Sequence, residues 1–246
     1  MENVFLRMLV LIAAVSIISP SGVKAAFETD QIDTDAGKLE ITFVGHGTLM
    51  FRFQNTVIHA DPWTQLADYS TMPKADIILI THEHRDHLDP EAVRMLRKDS
   101  TEVILTQACT DQIKDGKVMK NGDVLTIKGI KIQAVPAYNL VHTRKDGTPF
   151  HPKGSGNGYV LTFGNKRVYV AGDTENIPEM QEIGQPDVAF LPMNLPYTMS
   201  PEMTADAVRL CKPGILYPYH FGETDTSRIV NLLKDEAVEV RIRNMK

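Results

Sequence analysis

The chain has 246 residues, of which 43% are hydrophobic and 23% charged, a composition typical of one globular domain with a sizeable core. Its formal net charge is −5, with 26 lysines and arginines against 31 aspartates and glutamates. This balance predicts no basic surface, and it therefore excludes nucleic acid as an expected partner.

The first 25 residues have the pattern of an export signal. Arg7 precedes an apolar run over residues 8–18, which is too short for a comfortable membrane span. Small residues then predict cleavage after Ala25, with Ala26 as the alternative site. Residues 1–25 are therefore interpreted as a signal peptide of a periplasmic or secreted protein that has no stable membrane span after cleavage. The basic region before the run is weak, so an uncleaved N-terminal anchor stays an alternative.

The mature domain, residues 26–246, is expected to begin with strands. Residues 39–44 alternate apolar and polar side chains, as a half-buried strand does. Gly45-His46-Gly47 then forms a sharp turn, and residues 49–53 and 56–60 form a hairpin.

The most informative segment follows a short apolar run at residues 76–80. That run is rich in β-branched residues and predicts a buried strand, so the segment behind it lies at the carboxyl end of a strand. It contains three histidines and one aspartate, namely His82, His84, Asp86 and His87. In an extended segment alternate side chains share a face, so the first three can point the same way. Imidazole and carboxylate are common ligands of zinc, iron and manganese, and the segment therefore predicts a metal site.

Helices and strands alternate through the rest of the chain. Further strands are predicted at residues 102–106, 123–127, 130–135, 159–163, 167–171, 187–192, 214–220 and 238–241, and helices at residues 90–98, 111–114, 201–210 and 226–234. Asp89 and Ser200 are expected to cap two of these helices, because each precedes a proline at the first helical position. The polar segment at residues 140–157 is rich in glycine and proline and is predicted to form a loop over the active site.

The two cysteines, Cys109 and Cys211, leave the redox state open. Export would place them in an oxidising compartment, where a disulfide can persist. The sequence does not give the separation of the two Cα atoms, so it does not show whether a disulfide can form. Two buried free thiols are the preferred interpretation.

The pattern H-x-H-x-D-H behind an apolar strand resembles the signature of the metallo-β-lactamase superfamily of metal-dependent hydrolases. The Gly-His-Gly turn and the pair Asp61-Pro62 are similar to its ascorbate-phosphate-lactonase-like and N-acyl-phosphatidylethanolamine-phospholipase-D-like branches. The resemblance implies an α/β (α+β) fold, a four-layer αββα sandwich in which two mixed sheets are flanked by helices.

The resemblance also implies two metal positions. His82 and His84 belong to the first, Asp86, His87 and His220 belong to the second, and Asp173, in a Gly-Asp-Thr turn behind a strand, bridges them. Where the superfamily usually has a further histidine this chain has Asn139, and an amide oxygen is a poor zinc ligand. The first position is then weakened, vacant, or completed by Asn139 itself or by His151.

Three more residues have expected roles around this site. His151 is preferred to His142 as the loop histidine that reaches inward. His46 faces the metal centre or the substrate, or it is a turn histidine that bonds to backbone. Asp61 is expected to orient a ligating histidine through the N–H of its other ring nitrogen.

The implied activity is hydrolysis of an ester, lactone or phosphodiester bond in a small-molecule or lipid-like substrate. Two zinc ions per chain, with manganese or iron as alternatives, would lower the pKa of a bound water towards about 7 and supply hydroxide. Asp86 and His151 are the candidate catalytic side chains, with Asp86 as a proton acceptor. The alternatives are a non-catalytic protein that binds a metal or a small molecule on the same fold and, less favoured because of Asn139, a β-lactamase. The oligomeric state stays open.

Overall fold

The computed structural model describes residues 27–246. The predicted signal peptide and its cleavage site lie outside the described residues and stay predictions. Within residues 27–246, no helix combines the length and the apolar character needed to cross a membrane.

The first sheet is built from the first half of the chain. Its seven strands, in spatial order, are β1 (Glu28–Thr34), β2 (Gly37–Gly45), β3 (Thr48–Phe53), β4 (Thr56–Ala60), β5 (Ile77–Leu79), β6 (Glu102–Leu105) and β7 (Lys117–Val118). Strands β1 to β4 pair antiparallel, and β4 to β7 pair parallel.

The second sheet repeats this plan with the second half of the chain. Its seven strands are β8 (Val124–Ile127), β9 (Ile130–Ala137), β10 (Gly156–Phe163), β11 (Lys166–Val170), β12 (Val188–Pro192), β13 (Ile215–Tyr219) and β14 (Glu239–Val240). Strands β8 to β11 pair antiparallel and β11 to β14 pair parallel. The helices are α1 (Pro90–Leu96), α2 (Met180–Ile183), α3 (Pro201–Cys211) and α4 (Ser227–Leu232).

The side chains of β5 show how the layers are stacked. Ile77 and Leu79 are buried in the core between the two sheets, whereas Ile78 packs on the other face with α1. Because successive strand residues point to opposite faces, one short apolar strand serves two layers. Helix α3 packs against β12 on the outer face of the second sheet. The predicted four-layer sandwich of helices and two mixed sheets is confirmed.

The helix caps follow the sequence closely. Asp89 accepts hydrogen bonds from the backbone N–H groups of Glu91 and Ala92, and Ser200 accepts one from Met203. These bonds satisfy amide groups that the first turn of a helix leaves without a partner. Both predicted caps are confirmed.

The prediction differs from the structure at four elements: the helix at residues 111–114, and β1, β7 and α2, which were not predicted. The helix predicted at residues 111–114 is wrong: a 3₁₀ turn at Gln107–Cys109 leads into non-helical turns, because only Ile113 of the predicted segment is buried and no apolar face stabilises a helix. Strand β1 was not predicted, since only Ile32 of its residues is buried and the strand gives no apolar alternation. Cys109 and Cys211 are both buried and free, as preferred.

A buried carboxylate ties the two sheets together. Asp76, whose side chain is 3% exposed, accepts hydrogen bonds from the Val57 backbone N–H at 2.9 Å and the Lys128 ammonium at 2.6 Å. Lys98, just behind α1, lies 2.8 Å from the same carboxylate. Lys128 belongs to the turn between β8 and β9, so one side chain joins the first sheet, the second sheet and the outer helix layer. Burial alone would raise the pKa of Asp76, but the two lysines outweigh it and lower the pKa to about 2.

We expect Asp76→Asn to lower the free energy of unfolding at neutral pH by about 1 to 3 kcal/mol, because the buried side chain loses the negative charge that binds Lys98 and Lys128. Since the folded-state pKa lies below the unfolded value, this stabilisation is present above about pH 4 and disappears as the pH falls towards 2. Urea unfolding between pH 2 and 7 measures it. The exposed Asp33→Asn is the matched control, and equal acid dependence in the wild type and Asp76→Asn would contradict the assignment.

Candidate metal centre

The ligand-type side chains lie where parallel strands of both sheets end. Asp61 follows β4, the histidine-rich segment at residues 82–87 follows β5, Asp173 follows β11, and His220 follows β13. Parallel strands have their carboxyl ends at the same edge of a sheet, and open sheets generally bind ligands there. The two sheets present these edges to each other, so residues more than 100 positions apart meet.

The first group of donors consists of His82, His84 and His151. Nδ1 of His84 lies 3.1 Å from Nε2 of His82 and 3.1 Å from Nε2 of His151. Ligands about 2.0–2.1 Å from a tetrahedral zinc ion are about 3.3 Å apart, so these separations suit one shared metal. The structure therefore brings three imidazoles to the first position, with His151 in the place for which the sequence left several candidates.

Asn139 lies behind His151 and does not itself join this group of donors. Its Oδ1 accepts hydrogen bonds from Nδ1 of His151 at 2.7 Å and from the His151 backbone N–H at 2.8 Å. Its Nδ2 donates to a Glu175 carboxylate oxygen at 3.0 Å and to the Tyr197 carbonyl at 2.9 Å. With Nδ1–H held by Asn139, Nε2 of His151 carries the lone pair that faces the first position. The amide thus fixes the tautomer and direction of the imidazole.

Glu175 anchors the start of the loop that carries these residues. Its fully buried carboxylate accepts hydrogen bonds from the backbone N–H groups of Leu140, Val141 and His142 at 2.7 to 2.8 Å. It also accepts a hydrogen bond from Nδ1 of His142 at 2.7 Å, and His142 belongs to neither donor group. These bonds hold the loop against the strand end at Asp173.

The second group of donors consists of Asp86, His87 and His220, with His46 beside them. One ligand atom from each of the four lies within 4.8 Å of the others. Nε2–H of His46 donates to Oδ2 of Asp86 at 2.9 Å, and the centres of the His46 and His220 rings lie 3.7 Å apart. His46 therefore faces the centre rather than a backbone group. Burial alone would raise the pKa of Asp86, but the imidazoles of His220 and His46 hold it well below its usual range.

Asp173 lies between the two groups. One of its carboxylate oxygens is 3.3 Å from Nε2 of His151 and 3.5 Å from Nε2 of His220, and the other is 3.4 Å from Nε2 of His87. Its residue is 5% exposed. One carboxylate therefore contacts both donor groups, which is the placement that a bridging ligand requires.

Asp61 orients His87 from behind. Its carboxylate accepts Nδ1–H of His87 at 2.7 Å and also binds the backbone N–H and the hydroxyl of Thr81, at 2.8 and 2.6 Å. This leaves Nε2 of His87 directed at Asp173. Burial alone would lower the pKa of His87, but the carboxylates of Asp173 and Asp61 raise it to about 10. Carboxylates that stabilise a proton at this point would equally stabilise a metal cation.

The buried side-chain atoms of the two donor groups have the properties that a metal ion requires of its ligands. Among the described residues, Nε2 of His87, Nε2 of His220 and Oδ1 of Asp173 are buried and have no hydrogen-bond partner. Buried polar atoms without partners are rare in folded proteins. The two imidazole nitrogens lie 3.4 and 3.5 Å from oxygens of the Asp173 carboxylate. Burial, followed by the charge on His87, lowers the pKa of His82 well below its usual value, so this imidazole is held neutral as a ligand must be.

The centre lies at the bottom of a pocket of about 480 Å³ that reaches the protein surface. Its wall is formed by His46, His84, Arg85, Asp86, Arg144, Phe150, His151, Asp173, Asn194, Tyr197 and His220. A pocket of this size accommodates a small molecule. Arg144, Phe150, Asn194 and Tyr197 were not identified from the sequence, because none of them lies in a motif, and Arg85 was passed over because it occupies a variable position of H-x-H-x-D-H.

The residues of this centre lie in a segment that is similar to known proteins. Residues 40–220 match the sequence profile of a family described as the beta-lactamase superfamily domain, and this stretch contains every ligand-type residue of both groups. The chain belongs to the beta-lactamase superfamily. The predicted superfamily is thereby confirmed, whereas its lactonase-like and phospholipase-D-like branches stay predictions.

Relatives of this superfamily member are metal-dependent hydrolases. A UPF0173 metal-dependent hydrolase of Nanoarchaeum equitans is 30% identical over 191 residues, 75% of this chain and 84% of the relative. A crystal structure described as a metal-dependent hydrolase of Parabacteroides distasonis superposes with a TM-score of 0.86 and is 49% identical, covering 89% of this chain and all of that one. The metallo hydrolase Igni18 of Ignicoccus hospitalis gives a TM-score of 0.70 at 26% identity, covering 85% and 96%. This superfamily member is thus a metal-dependent hydrolase.

We expect Asn139→Ala to weaken metal binding about 10- to 100-fold, because a ligand loses the group that orients it. Titration of the metal-free protein with zinc measures the affinity, and circular dichroism checks the fold. Asn231→Ala, on the exposed face of α4, is the matched control. Zinc affinity in Asn139→Ala equal to that of the control would show that the amide does not support the centre.

Proposed function

We propose that this hydrolase uses two divalent metals, preferably zinc with manganese or iron as alternatives, to cleave an ester, lactone or phosphodiester bond. His82, His84 and His151 would hold one metal, Asp86, His87 and His220 the other, and Asp173 would bridge them. The observation that carries the proposal is the position of the Asp173 carboxylate between two convergent donor groups at the bottom of a pocket.

The metals would supply a water of lowered pKa and would stabilise the negative charge that develops on a carbonyl or phosphoryl oxygen. Asp86, whose pKa is held low by His220 and His46 despite burial, is ionised and lines the pocket. It is therefore placed to accept a proton from the attacking water or to pass it to the leaving group. His46 steadies that carboxylate through its 2.9 Å contact.

The pocket supports a small-molecule substrate. A volume of about 480 Å³ suits a compound of modest size or the polar end of a larger one. Exposed apolar side chains at Leu140, Val141, Leu195 and Tyr197 lie on the two loops beside the pocket and are compatible with a lipid-like substituent. A β-lactamase is less favoured because the Gly-His-Gly turn resembles the other branches, whereas Asn139 no longer counts against it, since His151 completes the first donor group.

We expect His84→Ala and Asp86→Ala to abolish hydrolysis, with a loss of at least about 1,000-fold, because each removes a side chain from one donor group. Turnover is measured on bis(p-nitrophenyl) phosphate, a δ-lactone and p-nitrophenyl butyrate. Glu83→Gln, in the same segment but outside both donor groups, is the matched control and keeps its activity.

Metal content distinguishes this proposal from the non-catalytic alternative. Elemental analysis of protein purified without chelator should give about two metals per chain, and His84→Ala should lose occupancy at the first position. Full hydrolytic activity in either variant would contradict the assignment. Two metals without turnover on any substrate would favour a protein that only binds metal and a small molecule.

We also propose that the protein is exported to the periplasm or secreted. The apolar run at residues 8–18 followed by a small-residue site supports this. Mass spectrometry of the protein recovered outside the cytoplasm should find an N-terminus at Ala26. Recovery of the whole chain in the membrane fraction would indicate the uncleaved anchor instead.

A further inference from the structure

The pocket wall around the metal-ligand groups carries positive charge. Apart from the residues assigned to the metals and His46, it consists of Arg85, Arg144, Asn194, Tyr197 and Phe150. Among these five lining residues there are two guanidinium groups and no carboxylate. A substrate that enters this pocket therefore meets positive charge before it reaches the centre.

Arg144 reaches from the tip of the loop back to the donor group. Its Nη2 lies 3.3 Å from Nε2 of His84 and 3.3 Å from the Phe150 carbonyl, and its guanidinium carbon lies 5.2 Å from the centre of the Phe150 ring. A backbone hydrogen bond of 2.7 Å from Arg144 to the Thr148 carbonyl closes the loop tip. The guanidinium is thus held at one position although its residue is exposed.

Arg144 contacts the ring nitrogen of His84 that carries the proton when the other nitrogen binds a metal. Nδ1 of His84 is the atom that converges with His82 and His151, so it is the nitrogen that a metal would take. A neutral imidazole carries one proton, and with Nδ1 committed that proton is on Nε2. Nε2–H and the Arg144 N–H are then two donors 3.3 Å apart, with no acceptor between them.

We propose that Arg144 and the Nε2–H of His84 together bind an anionic oxygen of the substrate, from a phosphate or a carboxylate group, beside the first metal position. This inference deepens the proposed function and rests on it. An anionic oxygen that accepts from both N–H groups relieves the repulsion between them. A guanidinium also pairs well with the oxygens of a planar carboxylate or a tetrahedral phosphate. A neutral hydroxyl or amide oxygen would bind these two N–H groups more weakly, because its hydrogen bonds lack the negative charge.

The rest of the loop supports a preformed subsite. The carboxylate of Glu175 holds residues 140–142 through three backbone N–H groups, and Asn139 fixes His151 at the far end of the same loop. Both ends of the segment that carries Arg144 are therefore anchored to the centre. Such preorganisation reduces the loss of conformational freedom on binding.

The test is anion binding to the full chain loaded with zinc, measured by titration calorimetry with two non-hydrolysable probes, phenylphosphonate and benzoate. We expect Arg144→Ala to bind at least one probe about tenfold more weakly, the loss expected for a charge-assisted hydrogen bond. Lys145→Ala, one residue further along the exposed loop tip, is the matched control and keeps the wild-type affinity. Zinc content should be the same in all three proteins.

A loss confined to phenylphosphonate assigns the subsite to phosphate oxygens, and a loss confined to benzoate assigns it to carboxylates. Equal affinity of Arg144→Ala and the wild type for both probes would overturn the proposal. Because binding is read without turnover, an Arg144-dependent anion site in a chain that hydrolyses nothing would refute the proposed function and not the subsite. Turnover of an ester or phosphodiester with no effect of Arg144→Ala on anion binding or KM would refute only the subsite.

Discussion

The architecture of the centre depends on the burial of one carboxylate. Asp173 is 5% exposed, and among the described residues the basic side chains that pair with it are four imidazoles and no lysine or arginine. Removing a carboxylate from water costs several kcal/mol unless opposite charge compensates for it. Four imidazoles around it supply partial compensation, and their own burial opposes protonation. A divalent cation resolves both demands at once, because it needs an anionic ligand and neutral imidazoles together.

That constraint explains the polar residues behind the donors. Asp61 binds Nδ1 of His87 and Asn139 binds Nδ1 of His151, so in both donor groups a buried acceptor fixes which ring nitrogen faces inward. Asp61 also joins the end of β4 to the residue that follows β5 through Thr81, and Glu175 joins the loop to the end of β11. The same hydrogen bonds therefore direct the ligands and hold the strand ends together. A polar residue without this arrangement would cost stability at such buried positions.

The part of the site that could be predicted from the sequence is the part encoded locally. His82 to His87 follow one strand within six positions, so their convergence needs only the geometry of an extended chain and a turn. Asp173 and His220 lie at strand ends, and the superfamily resemblance supplied their order. His151 was less certain, because a loop of a dozen residues separates it from Asn139 and no periodicity fixes where such a loop folds. Arg144 could not have been found, since its contact with His84 spans 60 positions of chain.

The division of the sheets between the two halves of the chain has a consequence for folding. Residues before 119 form the first sheet and supply Asp86 and His87, whereas those after 123 form the second and supply Asp173 and His220. Each donor group therefore takes side chains from both halves. A metal that binds only after the halves dock adds its binding free energy to their association, as any ligand specific for the native state does. Bound metal would then stabilise the docked arrangement of the two halves, and loss of metal would weaken their association.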